Sequence, residues 1–242
     1  MSKCQCGFCH LHVHSEYSLL DGANRVKDLA KRAADMDMPA LALTDHGVMY
    51  GAIDFYSACK DQGIKPIVGV EAYVAPRRHT DKDPKLDAQR NTHHLTLWAK
   101  NAVGYKNLVK LTTQAHLKGF YYRPRVDHEL LAEYSEGVIC GSACLGGEIP
   151  QLVANNKFDE AVARAEKYRE IFGKENFFLE LMDHDLHGQE EVNEKLISIH
   201  HKTGIPLIVS NDAHYLRAQD EQMHKILVAI GTNTTVQNAA LH

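Results

Sequence analysis

The sequence contains no long apolar run. No stretch approaches the roughly 18 consecutive apolar residues that a membrane-spanning helix needs, and the N-terminal segment "MSKCQCGFCH" lacks the apolar centre of a signal peptide. These absences argue against an integral membrane protein and against a secreted one. We therefore expect a soluble, cytoplasmic protein with no membrane partner.

The sequence also lacks a disulfide framework and a large excess of charge. Its six cysteines are irregularly spaced, unlike those of small secreted domains, so we expect reduced thiols. The formal net charge is only -4. A surface built mainly to grip nucleic acid needs a concentrated basic face, so any phosphate binding must be local.

Short apolar runs alternate with amphipathic stretches along most of the chain. The runs predict seven strands, at residues 9–13, 39–44, 65–74, 94–99, 137–142, 176–182 and 205–212. Helical apolar spacing appears at residues 25–36, 51–62, 105–116, 158–172 and 188–203. This β-then-α order predicts a largely parallel sheet.

The number of units and the missing motifs favour one closed architecture. Seven units within 242 residues predict a distorted (β/α)7 barrel rather than an open doubly wound sheet. No G-x-G-x-x-G or G-x-x-x-x-G-K-[ST] motif follows any predicted strand, which disfavours the open nucleotide-binding sheets. We expect a single domain over residues 1–242, with 1–8 as a leader and 237–242 as a tail.

Histidine is unusually abundant, with sixteen in the chain. In "HLHVH" the residues His10, His12 and His14 alternate, so they share one face of a predicted strand. Either this face is an exposed strand edge or it is a set of ligands. Barrel enzymes carry their reactive groups at the C-terminal ends of the strands, so the other strand ends decide between the two.

Ligand-type side chains follow nearly every predicted strand. They are His12, His14, Asp21, His46, Glu71, His94, Cys144, Asp212 and His214. Nine donors exceed the needs of one ion, so we expect two or three divalent ions, with Glu71 bridging two of them. Imidazole with thiolate favours Zn²⁺, and imidazole with carboxylate also accepts Mn²⁺; iron and Mg²⁺ are alternatives.

Two of the candidate positions leave alternatives open. His94 lies at the start of its strand, which in an all-parallel barrel is the wrong end. Either the strand 94–99 is antiparallel after a long hairpin return, or the crossover 76–93 kinks around the barrel mouth. Asp45, beside His46, is a candidate catalytic group together with Glu71, or it orients an imidazole.

Several longer segments together resemble one known family. They are "HLHVHSEYSLLDGA", "LALTDHGVMYGAIDFY", "GIKPIVGVEAYVAP", "HLTLWAKNAVGYKNLVKL", "KGFYYRPRVDHELL", "SACLGGEIPQ" and "IPLIVSNDAHYL". Over residues 8–236 the chain is similar to the PHP (polymerase and histidinol phosphatase) domains at the N-terminus of bacterial DNA polymerase III alpha subunits. The resemblance implies a distorted seven-stranded barrel with a trinuclear metal site.

The resemblance also implies how the donors divide among the ions. His12, His14, Glu71 and Asp212 would hold one metal; Glu71, His94 and Cys144 a second; Asp21, His46 and His214 a third. All nine family positions carry suitable residues here. An intact set implies an active phosphoesterase site rather than a degenerate one.

Three hypotheses for function follow. The first is a 3′–5′ exonuclease that acts on a DNA 3′ end and proofreads for an attached polymerase module. The second is a pyrophosphatase or phosphomonoesterase that takes a phosphorylated small molecule. The third is a non-catalytic scaffold whose metals stabilise the domain and its docking to the polymerase. Because the chain stops at His242, without palm, thumb and fingers, we expect no polymerase activity from it.

Outside the donor set, a few side chains are candidates for substrate binding. Arg77, Arg123 and Arg125 could contact phosphates, and Tyr121 and Tyr122 could stack on a terminal base. Cys4, Cys6 and Cys9 with His10 could form another metal site, although no second ligand pair at zinc-knuckle spacing follows. We expect the remaining histidines, including His224, at the surface or on helix faces, with His184 the first exception to consider.

Overall fold

The computed structural model describes residues 7–88 and 91–238. Seven strands lie within this part of the chain: β1 Ala40–Leu43, β2 Lys65–Val74, β3 His93–Ala99, β4 Arg125–Val126, β5 Val138–Gly141, β6 Phe177–Leu181 and β7 Leu207–Val209. Eight α-helices accompany them: α1 Val26–Asp35, α2 Ala52–Asp61, α3 Ala102–Leu117, α4 His128–Glu133, α5 Glu148–Ala154, α6 Phe158–Phe172, α7 Gln189–Thr203 and α8 Glu221–Gly231.

The strands form one curled sheet in the order β1, β2, β3, β5, β6, β7. β2 also pairs with β4 through its last two residues. The pairs β1–β2, β5–β6 and β6–β7 are parallel. β1 is buried along its whole length, as expected for a parallel strand that is covered on both faces.

β3 is antiparallel to both of its neighbours. Its first residue, His93, lies opposite Val74, and Trp98 lies opposite Gly69. β3 also runs against β5, where Thr96 pairs with Gly141. The hairpin alternative for this strand is therefore confirmed and the kinked crossover is wrong. The reversal brings the start of β3 to the same end of the sheet as the C-terminal ends of the parallel strands.

The predicted strand at residues 9–13 is an extended segment rather than a regular strand. It lies between the two ends of the curled sheet. On one side Ala42 N donates to His10 O at 2.9 Å, and on the other His14 N donates to Ala213 O at 2.9 Å. Val13 N donates to the hydroxyl of Thr44 at 2.9 Å, so a side chain replaces the ladder hydrogen bond that a regular strand would make.

The five predicted helices are present with nearly the predicted bounds. The strand β4 and the helices α4, α5 and α8 have no counterpart in the sequence prediction. β4 has two residues, α4 six and α5 seven, which is too short for a clear apolar period. No helix of the described ranges is long and apolar enough to cross a membrane.

Candidate metal centre

The nine predicted donors come from separate elements that meet at one end of the sheet. Residues 10–14, between the two ends of the sheet, carry His12 and His14, and the loop after them carries Asp21. His46 follows β1, Glu71 lies on β2 and His94 on β3, Cys144 lies in the turn after β5, and Asp212 and His214 follow β7. Isolated parallel bridges join His46 to Glu71, His94 to Gly147 and Val13 to Ala213. Backbone pairing therefore holds these segments side by side before any side chain is considered.

Glu71 lies at the centre of the cluster and is fully buried. Its Oε1 is 3.3 Å from His12 Nε2 and 3.0 Å from His94 Nδ1. Its Oε2 is 2.7 Å from His46 Nδ1 and 3.3 Å from His14 Nε2. One carboxylate thus faces four imidazoles, two on each oxygen, which is the arrangement expected of a bridging ligand.

Asp212 contacts two histidines of the cluster. Its Oδ1 is 3.3 Å from His12 Nε2 and 3.1 Å from His14 Nε2. Its backbone has a φ of 47°, a left-handed conformation that is costly for a residue other than glycine. Strain of this kind is typical of functional sites, where the surrounding structure imposes it.

Asp21 and Cys144 each contact a different pair of donors. Asp21 Oδ2 is 3.1 Å from His46 Nε2 and 3.0 Å from His214 Nε2. Cys144 Sγ is 3.5 Å from His94 Nδ1 and 3.9 Å from Glu71 Oε1. The structure therefore brings all nine predicted donors together.

These donors fit divalent metal ions. In the described part of the chain, three groups present ligand atoms within 4.8 Å of one another: His14, Asp21, His46 and His214; His12, His14 and Glu71; His46, Glu71 and His94. Buried atoms that accept or donate no hydrogen bond of good geometry include His12 Nε2, His14 Nε2, Asp21 Oδ2, His46 Nδ1, Glu71 Oε2 and Asp212 Oδ1. Because buried polar atoms are normally satisfied, atoms that converge without hydrogen bonding indicate ligands of a common ion.

For Glu71 and His14 the electrostatics favour the protonation states that a metal needs. Burial would raise the pKa of Glu71, but the neighbouring His94 and His46 hold it well below its usual range. Burial, reinforced by His46 and His214, lowers the pKa of His14 to about 3. An ionised Glu71 and a neutral His14 at neutral pH are ready to coordinate a cation. Burial raises the pKa of the Cys144 thiol well above its usual value, so a cation must displace a proton from that ligand.

A buried carboxylate behind His12 was missed in the sequence prediction. Glu180 Oε2 is 3.3 Å from His12 Nδ1 and accepts a 2.6 Å hydrogen bond from Ser210 Oγ. Its Oε1 accepts from Ala143 N at 2.8 Å and from the hydroxyl of Thr96. Glu180 thus holds the His12 ring from the side opposite the cluster. The available signal was a single acidic residue in the apolar run "FFLELM".

Asp45 lies one layer behind the donors. It accepts hydrogen bonds from Ser15 N at 2.6 Å and from Ser18 Oγ at 3.0 Å. Ser18 Oγ is in turn 3.1 Å from His14 Nδ1 and accepts from His46 N at 3.0 Å. Of the two roles considered for Asp45, the geometry supports orienting an imidazole, through Ser18, over direct catalysis.

A cavity of about 770 Å³ opens above the cluster, a size within the range of ligand-binding pockets. It is lined by the donors Asp21, His46, His94, Cys144, Asp212 and His214, and by Tyr50, Phe120, Tyr122 and Arg123. The three aromatic side chains are each at least half exposed. The cavity therefore joins the donor cluster to apolar, aromatic surface.

The structure separates the three arginines that were predicted to bind substrate. Arg123 lines the cavity, where its guanidinium lies 4.6 Å from the centre of the Tyr73 ring. Arg77 lies outside the cavity and forms a two-point ion pair with Asp87, at 3.1 and 2.6 Å. Only Arg123 is placed where a phosphate near the cluster could reach it.

The prediction for Arg125 is wrong, because its side chain is fully buried. Its nitrogen atoms donate to three backbone carbonyls, those of Gly119, His79 and Asp81. A guanidinium that holds two loops in this way is not available to a substrate.

Other expectations have mixed outcomes. Cys4 and Cys6 lie outside the described residues. Tyr121 lies under the Arg125 guanidinium at 5.3 Å. His224 is buried on α8, with its ring 5.5 Å from that of His214. His184 lies beside the cluster, and its Nε2 is 2.6 Å from Asn211 O.

Sequence comparison identifies the family. The sequence model of the PHP domain matches residues 10–184. The chain belongs to the PHP domain family. Similar proteins include the DNA polymerase III subunit alpha of Borreliella burgdorferi, 48% identical over 93% of this chain, and that of Thermus aquaticus, 43% identical over 96%. This PHP domain spans about a fifth of the length of these relatives, 19% in both cases.

Solved structures confirm the fold of the PHP domain. A candidate metal-dependent phosphoesterase from Bifidobacterium adolescentis superposes with a TM-score of 0.55, at 13% identity, over 86% of this chain and 87% of its own. An amidohydrolase from Chromobacterium violaceum gives 0.51, at 16% identity, over 85% and 87%. At such low identity the likeness concerns the architecture alone.

Proposed function

We propose that this PHP domain is a metal-dependent phosphoesterase that removes nucleotides from a DNA 3′ end. The observation that carries the proposal is the position of the donor cluster: six of the nine candidate metal ligands line a cavity whose wall also carries Arg123 and exposed aromatic rings. The donor side chains would bind metal, Arg123 would bind a phosphate, and the aromatic rings would stack on the bases.

The resident ions would be Zn²⁺ or Mn²⁺, with iron or Mg²⁺ as alternatives. The three overlapping donor groups support two or three ions, with Glu71 shared between them. When bound, clustered divalent ions lower the pKa of a coordinated water and stabilise charge on the phosphate oxygens.

The protein side chains would position the diester. Arg123 would hold a phosphate oxygen near the cluster, since a guanidinium pairs well with phosphate. Tyr122 and Phe120 would stack on bases of the strand. Hydrolysis adds water across the terminal P–O3′ bond: the water oxygen becomes bonded to phosphorus, and the departing 3′ oxygen takes a proton. The products are a nucleoside 5′-monophosphate and a strand shortened by one nucleotide.

The same donors could also hydrolyse a phosphomonoester or pyrophosphate. The exposed Tyr50, Phe120 and Tyr122 favour a nucleotide substrate, because pyrophosphate has no surface for them to contact. In the setting of its relatives, which are DNA polymerase III alpha subunits, the domain would proofread beside the polymerase module, in the cytoplasm.

Incubation with 5′-labelled single-stranded DNA and Mn²⁺ or Zn²⁺ tests the proposal. The expected result is a ladder of shortened products that disappears in Glu71→Gln. Glu166→Gln, the same change at a half-exposed position on α6, should leave the ladder intact. Phosphate release from pyrophosphate without DNA cleavage would favour the second function. A chain that binds and is stabilised by metal but cleaves neither substrate would favour a scaffold and contradict the proposal.

A further inference from the structure

A second, smaller cavity adjoins the donor cluster. It measures about 290 Å³ and is lined by Leu145, Gln151, His184, Leu186 and Gln189 in addition to cluster residues. We call it the small chamber and the 770 Å³ cavity the large chamber. Four residues line both of them: His94, Cys144, Gly146 and Asp212. The cluster therefore lies at the junction of two chambers.

We propose that the small chamber binds the terminal nucleoside of the DNA strand while the rest of the strand lies in the large chamber. This inference rests on the proposed phosphodiesterase function and adds the direction in which the substrate lies. A phosphodiester has two organic substituents. A phosphate held at the junction can therefore direct one substituent into each chamber.

Charge assigns the substituents to the chambers. No lysine or arginine is among the described residues that line the small chamber, whereas Arg123 lines the large one. The upstream strand carries a phosphate at every nucleotide and needs a cationic contact. The terminal nucleoside carries no phosphate beyond the scissile one, so it can occupy a chamber without a cation.

Size supports the same assignment. The small chamber is at the lower end of the volume range of ligand pockets, which suits one nucleoside and not a strand. The large chamber is more than twice that volume and has exposed Phe120 and Tyr122, on which several bases can stack.

The wall of the small chamber is chemically mixed, and hydrogen bonds join several of its residues. Gln189 is buried; its Oε1 accepts from His184 N at 2.7 Å and its Nε2 is 3.3 Å from His184 Nδ1. Gln151 Nε2 donates to Leu145 O at 2.6 Å. Side chains fixed in this way form a preorganised surface of leucine and amide groups, which suits a flat, polar-edged base.

Calorimetric titration of the metal-loaded chain with dAMP and with inorganic phosphate tests the proposal. The wild-type chain should bind dAMP roughly tenfold or more tightly than phosphate, because only dAMP fills the small chamber. Leu186→Trp, which fills it, should remove this advantage and leave phosphate binding unchanged. Leu186→Phe should give an intermediate loss. Leu86→Trp, the same change at an exposed leucine in neither chamber, should behave as wild type.

Two results would overturn the assignment. One is equal binding of dAMP and phosphate by the wild-type chain, and the other is a dAMP advantage that survives in folded Leu186→Trp or Leu186→Phe. The failure of the proposed function is a separate outcome. If Leu186→Trp cleaves DNA as well as the wild type does, only the assignment of the small chamber is contradicted. If the wild-type chain cleaves no DNA but loses its preference for dAMP on substitution of Leu186, only the exonuclease function is contradicted.

Discussion

At the scale of single residues, the site depends on carboxylates buried among imidazoles. An isolated buried carboxylate is costly, and pairing with cations or ordered donors offsets the cost. Glu71 meets this requirement through His94, His46 and His12, which counter the effect of burial on its pKa. Glu180 meets it through Ser210, Ala143 and Thr96. Glu71 lies beside Nε2 of His12, and Glu180 lies beside Nδ1 of the same ring. The ring is therefore held between the two, with Nε2 directed at the cluster.

Glu180→Gln should weaken metal binding by about 10–100-fold, the usual effect of removing a hydrogen-bond partner of a ligating histidine. The amide keeps the size of the side chain but is a poorer acceptor for His12 Nδ1. Competition for Zn²⁺ with a chelating dye measures the change. In Glu166→Gln the affinity should equal that of the wild type. An unchanged affinity in Glu180→Gln would mean that His12 is held by its other contacts alone.

Site residues that follow a recognisable sequence pattern could be predicted, and site residues outside such a pattern could not. The donors could be predicted because they alternate in "HLHVH" or follow apolar runs, and a barrel brings such positions together. Glu180 could not, because one acidic residue in a strand does not reveal its partner. The prediction that Arg125 binds substrate failed because the sequence does not show whether a guanidinium is exposed or buried. Nor does it show whether the guanidinium donates to a phosphate or to backbone carbonyls.

At the scale of elements, the reversed β3 accounts for the position of His94. Its hairpin return from β2 brings His94 beside the turn after β5, where His94 N donates to Gly146 O at 2.9 Å. The sequence left this direction open, because alternation of side chains gives the faces of a strand but not its orientation. Residues 76–93 carry no helix signal, and that absence was the only indication of a hairpin.

Gly146→Ala should impair the half of the site that contains His94 and Cys144. A Cβ at this position would lie 2.9 Å from His94 Nδ1, so the imidazole would have to move away from Glu71. We expect the loss of about one bound ion per chain, with the Asp21 side unaffected because it shares neither ligand. Elemental analysis after dialysis measures the change. A full complement of metal in a folded Gly146→Ala chain would contradict this role of β3.

A second polar cluster joins helices α5 and α6 and should make stability depend on acid. Glu148 is largely buried, and Arg164 and Tyr168 donate hydrogen bonds to it, the latter at 2.7 Å. Burial would raise its pKa, but His128 and Arg164 lower it to about 2. A carboxyl group whose pKa is depressed on folding stabilises the protein above its unfolded pKa near 4.5, and that contribution is lost as the pH falls towards 2.

Glu148→Gln should therefore be less stable than wild type at pH 7, by an amount on the order of 3 kcal/mol, and the difference should shrink between pH 4.5 and 2. Urea unfolding at several pH values, with chelator present throughout, measures it. Glu170→Gln, on the exposed face of α6, is the matched control and should show no such trend. A difference in stability that is constant with pH would contradict the ionised pairing of Glu148.

At the scale of the whole molecule, two of the donors lie on the segment that joins the two ends of the curled sheet. Residues 10–14 join β1 to the chain after β7 by hydrogen bonds on both sides, and they include two donors. Metal held between this segment, β2 and the residues after β7 would link the two ends of the sheet. Metal binding and closure of the barrel should therefore be thermodynamically coupled.

Removal of metal should lower the melting temperature. A ligand present at about 100 times its dissociation constant stabilises a protein by about 2.7 kcal/mol, which for a chain of this size corresponds to roughly 5–10 °C. Calorimetry with and without chelator measures the shift. Glu71→Gln should show a smaller shift, because the donor group that contains Asp21 and His214 does not include Glu71. A wild-type melting temperature that is insensitive to chelator would contradict the coupling.

The most direct test of the account is the number of ions that the intact chain binds. Purified protein is equilibrated with Zn²⁺ or Mn²⁺, dialysed, and analysed for metal, with Glu71→Gln treated in parallel. We expect about two to three ions per chain for the wild type, as the overlapping donor groups require, and fewer for the variant. A folded wild-type chain that retains no ion, or the same amount as Glu71→Gln, would contradict it.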